Sequence, residues 1–378
     1  MELRINYKKL GNYIREIDVR NKGLKVTRLL GVSNEKYFIP SIANIVGTDL
    51  SNYKIVKRNQ FAFGTVTSRN GDKLSIAILK EDECIVSSSY VVFEVIDESK
   101  LNPDYLMMWL RREEFDRYAR FMSHGSVREL FGWDKLCDVE LPIPGIEEQL
   151  KYVNDYESIQ NAIKIKEAIN NNLFQSGKTF MRVLMDKHPE LFNGIITLEH
   201  FCSKISSGGT PNREIYSYYD NGTIPWLKNG EIKNNIILAT EEYITQEAVS
   251  NSSAKFINPN SVSMAMYCVS DIQVSYNVIP ITTNQAVLNF QTHTIRHSCF
   301  LYYLLAAYGN ELTTKAFGSA QQNLSKDTIK VYSFLNPLID KPEFDYFVSN
   351  INNRISVSKE VNTLIELQKT IISSMVQQ

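Results

Sequence analysis

Two long amphipathic segments constrain the fold of this chain more than any other feature. Residues 149–184 and residues 343–376 carry apolar side chains at steps of three or four residues, averaging close to 3.5. The first seam contains Leu150, Val153, Tyr156, Ile159, Ile163, Ile169, Leu173, Phe180 and Leu184. The second contains Phe344, Phe347, Ile351, Ile355, Val361, Ile365, Ile372 and Met375. This spacing is typical of helices that pack along their length, so each seam needs an apolar partner.

We predict that the two helices pack on each other and separate the remaining parts of the chain. Helices of this size are about 50 Å long, at about 1.5 Å per residue. The alternative is two unrelated helices on the surface of one large core. Lys166 and Gly177 interrupt the first seam, and Ser358 and Gln368 interrupt the second. Gly177 and Gln368 are where we expect a bend or a buried polar contact.

The chain also contains an internal repeat. Residues 125–144 align with residues 318–337 at a constant offset of 193, and a long helix follows each segment. The matched pairs are Gly125 with Gly318, Ser126 with Ser319, Asp134 with Asp327, Leu136 with Ile329 and Pro144 with Pro337. A repeat of this kind predicts two copies of one unit, a globular domain and then a long helix. The predicted parts are domain one at 1–145, helix one at 146–186, domain two at 187–340 and helix two at 341–378.

Short strands with turns fill each predicted domain, so the fold class is α+β. Strands at 60–66 and 74–79 flank Asn70-Gly71, a hairpin turn signal. The further expected elements are a β-rich stretch at 84–96, strands at 261–269, 272–276 and 286–290, and helices at 103–121 and 298–315. Domain two lies between the helices along the chain, so antiparallel packing of the helices predicts that the two pseudo-repeated domains lie at opposite ends of the helix pair. The two helices are predicted to pack as a coiled coil.

Composition sets limits on the class of protein. A chain of 378 residues is expected to form two or three domains. The five cysteines are far apart and form no CxxC pair, which fits a reducing cytoplasm and argues against a zinc site. There is no apolar run long enough to cross a membrane and no secretory signal, so we expect a cytoplasmic protein without a membrane partner. A net charge of −1 is mild evidence against nucleic-acid binding but allows local basic patches.

Catalytic motifs are absent from the sequence. It contains no phosphate-binding GxxxxGK[ST] loop, no GxSxG elbow, no HExxH and no methyltransferase Asn-Pro-Pro motif. His124 stands beside Ser126, but neighbours in sequence do not make a catalytic triad, and a turn is the simpler interpretation. Glu113, Glu114 and Asp116 lie among arginines, as on a solvated helix face. We therefore expect no enzymatic activity, no metal and no cofactor.

Basic, amide and aromatic side chains in loops are the candidate binding residues. Arg, Asn and Gln can form two hydrogen bonds to one base edge, and Lys and Arg can contact phosphates. The candidates are Lys57, Arg58, Arg69, Lys73, Arg128, Arg213, Lys228, Asn229, Lys233, Asn234, Tyr276, Gln321 and Gln322. Each alone is more typical of a solvated loop. Their recurrence at equivalent places in the two repeats supports a nucleic-acid-binding surface about as well as solvated loops.

Several short motifs resemble one known family, the specificity subunits of type I restriction–modification systems. The segment 205–211 (ISSGGTP), followed by 224–232 (IPWLKNGEI), resembles the start of a target-recognition domain of that family. Residues 283–286 and 318–325 resemble later motifs, and 141–149 resembles the approach to the first long helix. The resemblance covers essentially the whole chain. Domain one lacks the Gly-Gly-Thr-Pro segment, and the exit at 336–340 lacks a Glu-Gln ending.

The resemblance implies a non-catalytic DNA-recognition subunit. Each domain of such a subunit reads one half of a split double-stranded DNA target, and the helix pair sets the spacing between the halves. Two methyltransferase subunits and the restriction (motor-nuclease) subunits are the implied protein partners. Docking of the methyltransferase gives a role to charged outer helix positions, namely Lys164, Lys166, Glu167, Arg354, Lys359 and Glu360. The alternative is a non-catalytic coiled-coil adaptor that binds only proteins.

Overall fold

The structure is a computed structural model, and it describes residues 7–41, 47–67, 73–123, 129–266, 271–311 and 326–375. The chain divides into two compact units. Unit 1 comprises residues 1–162 and 364–378, and unit 2 comprises residues 163–363. Both long helices contribute residues to both units, because each unit boundary falls inside a helix. The four-part division at 145, 186 and 340 stays a prediction.

Unit 1 is built from short strands and three short helices, followed by the start of the first long helix. Its elements are β1 Tyr7–Lys9, β2 Ile14–Ile17, β3 Leu30–Val32, β4 Phe38–Pro40, β5 Lys54–Val56, β6 Phe61–Gly64, β7 Ile76–Ile78, β8 Cys84–Val86, β9 Tyr90–Val95, α1 Pro103–Leu110, α2 Glu113–Phe121, α3 Trp133–Cys137, β10 Glu140–Pro142 and α4 Ile146–Lys187. The expected single helix at 103–121 is wrong. Arg112 has extended backbone angles, so α1 and α2 are separate helices.

Unit 2 is also built from short strands and helices, and it contains most of the second long helix. Its elements are β11 Phe192–Thr197, α5 Leu198–Phe201, β12 Cys202–Ser207, β13 Ile224–Leu227, β14 Ile236–Ile237, β15 Glu242–Ile244, α6 Gln246–Ser250, β16 Ser261–Ala265, β17 Val274–Asn277, β18 Thr282–Thr283, β19 Val287–Thr292, α7 Ile295–Tyr308, α8 Lys326–Lys330, β20 Ser333–Pro337 and α9 Asp345–Ser374. The helix expected at 298–315 corresponds to α7, and residues 312–325 lie outside the described residues.

The repeat seen in sequence is also present in the sheets. In unit 1 the main sheet has the antiparallel order β2-β9-β6-β7, and in unit 2 the order β12-β19-β16-β17 is extended by β14. Each unit also pairs its first strand with the strand before a long helix. Tyr7 lies opposite Pro142 in β1–β10, and Phe192 lies opposite Pro337 in β11–β20. The two units therefore share the topology of the main sheet and of this strand pairing.

Aromatic side chains dominate both cores. In unit 1, Phe61 stacks on Phe93 at 4.6 Å between ring centroids, and Phe131 packs edge-on to Phe63. In unit 2, the fully buried face of α7 presents Tyr302 and Tyr303 to the long helices. Such rings bury much apolar area each, which is why short strands suffice to hold each unit. The structure describes four cysteines, at 84, 137, 202 and 299, and all four are free thiols.

Within unit 2 the two long helices pack side by side and run antiparallel. Lys166 pairs with Glu360 at 2.5 Å, and further along Ser176 bonds Tyr346 at 2.7 Å. Residue numbers rise on one helix as they fall on the other, which defines the antiparallel direction. The prediction of a packed helix pair is confirmed, with bounds of 146–187 and 345–374 rather than 149–184 and 343–376. The placement of the two domains at opposite ends stays a prediction.

Two positions singled out in the helices make tertiary contacts. Gly177 packs against the ring of Tyr303, so closely that a β-carbon at Gly177 would lie 2.2 Å from the ring. Arg354 is not an outer charged position, since only 2 % of its surface is exposed. Its guanidinium is enclosed by neutral side chains and by backbone from α4, α7 and a loop.

Candidate nucleic-acid interface

A chain of ion pairs and hydrogen bonds links several predicted binding residues on the surface of unit 2. We call it the acid–base strip and define it by Arg213, Lys228, Glu231, Glu241 and Glu242, with the turn Lys233–Asn235 at one end. Strand pairing positions its centre. Trp226 of β13 lies opposite Glu242 of β15, which places Lys228, just after β13, beside that carboxylate.

Arg213 anchors one end of the strip. Its guanidinium lies over the rings of Tyr219 and Trp226, at 4.5 Å and 4.8 Å from their centroids. Its Nη1 donates to Glu242 Oε2 at 2.6 Å. The hydrogen bond to Glu242 raises the pKa of Arg213, and the same bond lowers the pKa of Glu242. Stacking and pairing therefore fix the direction in which this exposed cation points.

Lys228 occupies the middle of the strip. Its Nζ donates to Glu241 Oε2 at 2.8 Å and to Glu242 Oε1 at 2.9 Å. These two carboxylates, Glu241 first, raise the pKa of Lys228. Glu242 thus shares its two oxygens between Arg213 and Lys228. A phosphate group arriving at this surface would meet two oriented cations whose present partner is a carboxylate.

Glu231 connects Lys228 to the turn at the far end. Its Oε1 accepts from the Lys228 amide at 2.9 Å, and its Oε2 accepts from the Glu241 amide at 2.8 Å. The Glu231 carbonyl accepts from Asn235 Nδ2 at 3.1 Å. The Lys233 amide in turn donates to Asn235 Oδ1. The segment from Lys228 to Asn235 is therefore a preformed loop, with the Lys233 side chain exposed.

The motifs behind the family resemblance meet underneath this surface. Gly208 and Gly209 lie so close to Thr283 and Ser253 that β-carbons there would come within 2.0 Å and 2.1 Å of them. The Gly209 amide donates to the Thr283 carbonyl, and Trp226 Nε1 donates to the Gly209 carbonyl at 3.1 Å. Glycine is required at both positions because the backbones touch. These motif residues support the strip and position its loops.

Among the described residues, the basic clusters predicted in unit 1 do not form one site. Lys57 and Arg58 lie in the turn before β6, whereas Lys73 lies before β7. Since β6 and β7 are antiparallel, these positions lie at opposite ends of the strand pair. Arg58 is 3.7 Å from Asp82, and Lys73 pairs with Glu35 at 2.7 Å.

Of the other predicted residues, one is buried in the core and four lie outside the described residues. Tyr276 is only 1 % exposed, and its hydroxyl is 3.3 Å from Asn260 Oδ1 in the core of the sheet. It supports β17 and cannot face a ligand. The predicted residues outside the described part of the chain are Arg69, Arg128, Gln321 and Gln322. Asn229 and Asn234 lie half-buried in the preformed loop.

Sequence reasoning missed the acidic half of the strip. Glu241 and Glu242 are adjacent in sequence, but their contact with Lys228 depends on the pairing of β13 with β15. The stacking of Arg213 on Trp226 likewise joins two loops. An adjacent pair of carboxylates following a basic loop is the signal that could have suggested the arrangement.

Comparison with known proteins relates the chain to one family. A profile described as "Type I restriction modification DNA specificity domain" matches residues 194–367. The specificity subunit of the Escherichia coli enzyme EcoR124I/EcoR124II is 28 % identical over 134 residues, covering 35 % of this chain and 33 % of that protein. The MjaIX specificity subunit of Methanocaldococcus jannaschii is 20 % identical over an alignment of 378 residues, covering 86 % of this chain and 85 % of that protein.

Residues 194–367 match the type I restriction modification DNA specificity domain, and the chain is similar to specificity subunits of type I restriction–modification systems. The specificity-domain match and the E. coli relative agree with the expectation that the chain is a non-catalytic specificity subunit. The chain spans about a third of the length of the E. coli relative and 42 % of a second relative, the MjaVIII specificity subunit of M. jannaschii.

The fold of this chain is shared with a solved structure. The crystal structure of the S subunit from M. genitalium superimposes with a TM-score of 0.51 at 12 % identity, covering all of this chain and 97 % of the other. At that identity the likeness concerns the fold alone. It agrees with the predicted class, an α+β protein with two β-rich domains and long helices packed together. Among the described residues, no helix is long and apolar enough to span a bilayer.

Proposed function

We propose that this chain is a specificity subunit that binds double-stranded DNA and reads a bipartite target, one half with each β-rich domain. The observation that carries the proposal is the duplicated sheet, β2-β9-β6-β7 in unit 1 and β12-β19-β16-β17 in unit 2. Two copies of one recognition module in a single chain are suited to two separate short sequences. No catalytic group is needed for this role, and no cofactor.

The acid–base strip is the proposed DNA-facing surface of unit 2. Arg213, Lys228 and Lys233 are cations on one connected surface, and two of them are held in fixed directions by Glu242. Oriented cations can contact phosphates and so fix the register of the protein on the duplex. Base edges would then be read by neighbouring amides, among which Asn229 is the nearest candidate in the preformed loop.

The helix pair is the proposed spacer and docking platform. We infer that two methyltransferase subunits bind its outer charged positions, such as Lys164, Glu167 and Lys359, and that restriction subunits join that complex. Lys166 and Glu360 already pair with each other across the helices, which leaves them less suited to docking. The cytoplasm, where the DNA of a bacterial or archaeal cell lies, is the expected compartment.

Exchanging domain one tests the assignment of half-sites. Residues 1–145 are replaced by the matching domain of a specificity subunit that recognises a different target, and the methylated sites are mapped by sequencing the methylome. We expect one half of the target to change while the other half and the spacer stay the same. A change in both halves would contradict the division of labour. Binding without sequence preference at any salt concentration would favour the protein-only adaptor.

Shortening both helices tests the spacer role. Removal of seven residues, about two turns, from each of α4 and α9 shortens each helix by about 10 Å. At about 3.4 Å per base pair, the spacer should become shorter by about three base pairs while both half-sites are retained. The control removes seven residues from α4 alone, which puts the antiparallel seams out of register and should impair folding. An unchanged spacer after the matched deletion would refute the spacer role.

A further inference from the structure

Arg354 is a buried cation in a helix position where an apolar residue would suffice for packing. It lies on α9 beside the apolar seam, between Ile351 and Val357, and is 2 % exposed. The structure gives it no carboxylate partner within 4 Å among the described residues. Its guanidinium instead lies over the rings of Phe174 and Tyr302, at 5.0 Å and 5.4 Å. Burying a charge in this way costs free energy, so its specific contacts matter.

The guanidinium donates hydrogen bonds to three different elements of unit 2. Nε donates to Asn170 Oδ1 of α4 at 2.8 Å, and Nη1 donates to Tyr302 Oη of α7 at 2.6 Å. Nη2 donates to the Asn234 carbonyl at 2.7 Å. The fork geometry of arginine allows all three bonds at once, which a lysine ammonium could not reproduce. One side chain thus connects both long helices and α7 to one loop.

The Asn234 carbonyl is the meeting point of these contacts. It accepts a second hydrogen bond from Tyr302 Oη at 2.8 Å. On its other side, the Asn234 side chain accepts from the Val274 amide at 3.1 Å and donates to Gln273 Oε1 at 2.7 Å. Asn234 also has a φ of 58°, in the left-handed region. A residue held in that conformation from both sides leaves the turn little freedom.

The residue fixed by this arrangement borders the exposed Lys233, at the end of the acid–base strip. We propose that Arg354 is a positioning residue for DNA readout, which locks the Lys233–Asn235 turn to the helix pair and thereby sets the discrimination of one half-site. The proposal rests on the proposed function of the strip. It predicts that recognition of the second half-site depends on a residue that touches no DNA.

The test uses the complete specificity subunit in complex with its methyltransferase. Five variants are compared with wild type: Arg354→Met, Arg354→Lys, Tyr302→Phe, Lys233→Ala and Tyr105→Phe. Tyr302→Phe keeps the ring but removes the hydroxyl that accepts from Arg354 and donates to the Asn234 carbonyl. Tyr105→Phe is the matched control, since it removes a similarly buried hydroxyl from unit 1. The readout is the ratio of Kd for duplexes altered in one half-site to Kd for the intact target.

For Arg354→Met we expect the ratio for the half-site read by unit 2 to fall about tenfold, with the other ratio unchanged. Tyr302→Phe should act in the same direction but less strongly. Neither variant should alter the slope of log Kd against log salt, because no phosphate contact is lost. Lys233→Ala should reduce that slope by about one. Arg354→Lys should not restore discrimination, because it lacks the fork.

Three outcomes separate the possible failures. A folded Arg354→Met complex with both ratios at wild-type values overturns the proposal, and so does an equal fall in both ratios. If Arg354→Met does not fold, Tyr302→Phe decides, and unchanged discrimination in that variant overturns the proposal. If the wild-type complex itself shows no sequence preference, the proposed DNA-reading function fails, independently of Arg354.

Discussion

Tyr303 lies with its ring against the backbone of Gly177, where a β-carbon would be 2.2 Å from Tyr303 Cε1. The ring is fully buried, and its hydroxyl bonds Asn350 Oδ1 of α9 at 2.5 Å. Asn350 Nδ2 in turn donates to the Leu173 carbonyl of α4 at 3.1 Å. A missing side chain on α4 thus creates the space in which α7 and both long helices meet in unit 2.

Gly177→Ala is expected to destabilise the protein, although alanine favours helices. The intrinsic gain in a helix is about 1 kcal/mol, whereas forcing an extra carbon into a packed core costs typically about 1–3 kcal/mol. Because Tyr303 is held at its hydroxyl end by Asn350, it cannot move away freely, so the packing cost should win. The measurement is chemical denaturation, with Asn172→Ala on the exposed face of α4 as the control. A Gly177→Ala variant more stable than wild type would contradict the close packing.

The buried ion pair of unit 1 gives a second prediction. Lys36 Nζ is 2.8 Å from Asp116 Oδ1 and donates to the Leu110 carbonyl at 2.6 Å, and the two side chains are 5 % and 10 % exposed. Lys36→Met leaves a buried carboxylate without its cation, which should cost about 3–5 kcal/mol. Lys36→Met combined with Asp116→Asn should be less destabilised than Lys36→Met alone, because asparagine removes the charge and still accepts from the Leu74 amide. Equal free energies of unfolding for both would refute this.

The same pair predicts a pH dependence. Burial lowers the pKa of Lys36 from its ordinary value of 10.5, although Asp116 opposes the shift. The folded state therefore releases this proton at a lower pH than the unfolded state does. Stability from this group should rise with pH between the lowered pKa and about 10.5, and should be constant below that window. Comparing wild type with Lys36→Met across alkaline pH isolates the contribution of Lys36.

Periodicity and repetition made the architecture predictable. Contacts between distant elements could not be predicted from these patterns. The helices α4 and α9, the β6–β7 pair and the two-domain order follow from local patterns. The sequence predicts Arg354 as an outer charge, because a cation on a helix is normally solvated. Its burial depends on acceptors from Asn170, Tyr302 and Asn234, which no local pattern brings together. The break at Arg112 and the burial of Tyr276 were missed for the same reason, since tertiary packing decides both.

A buried polar network crosses the main sheet of unit 2 and gives a third prediction. Asn289 is fully buried, donates to Thr283 Oγ1 at 2.8 Å and accepts from Ser263 Oγ at 2.7 Å. Asn289→Leu keeps the size of the side chain but removes one hydrogen bond from each of these two partners. The free energy of unfolding should fall by about 1–3 kcal/mol for each buried group left without its bond. Thermal and chemical unfolding measure the loss. The double variant with Ser263→Ala should lose less than the sum of the single variants, and strict additivity would argue against the network.

The carboxylate shared by Arg213 and Lys228 gives the last prediction. If the strip faces DNA, Glu242 competes with phosphate for both cations, so Glu242→Gln should strengthen binding to DNA of any sequence several-fold. Glu241→Gln is the control and should have a smaller effect, since Glu241 pairs with Lys228, whereas Glu242 pairs with both Lys228 and Arg213. Stability should change little, because partly exposed ion pairs contribute only about 0–1 kcal/mol.

The pH response of that variant separates electrostatics from loop damage. Pairing with Arg213 lowers the pKa of Glu242 from 4.5, so its carboxylate stays ionised at neutral pH, and its stabilising contribution is lost only as pH falls through the lowered pKa. The gain in affinity of Glu242→Gln should therefore be the same at pH 6 and pH 8. It should also come with a steeper salt dependence, as expected when more cations reach phosphates. Weaker binding at both pH values would contradict the proposed competition between Glu242 and phosphate.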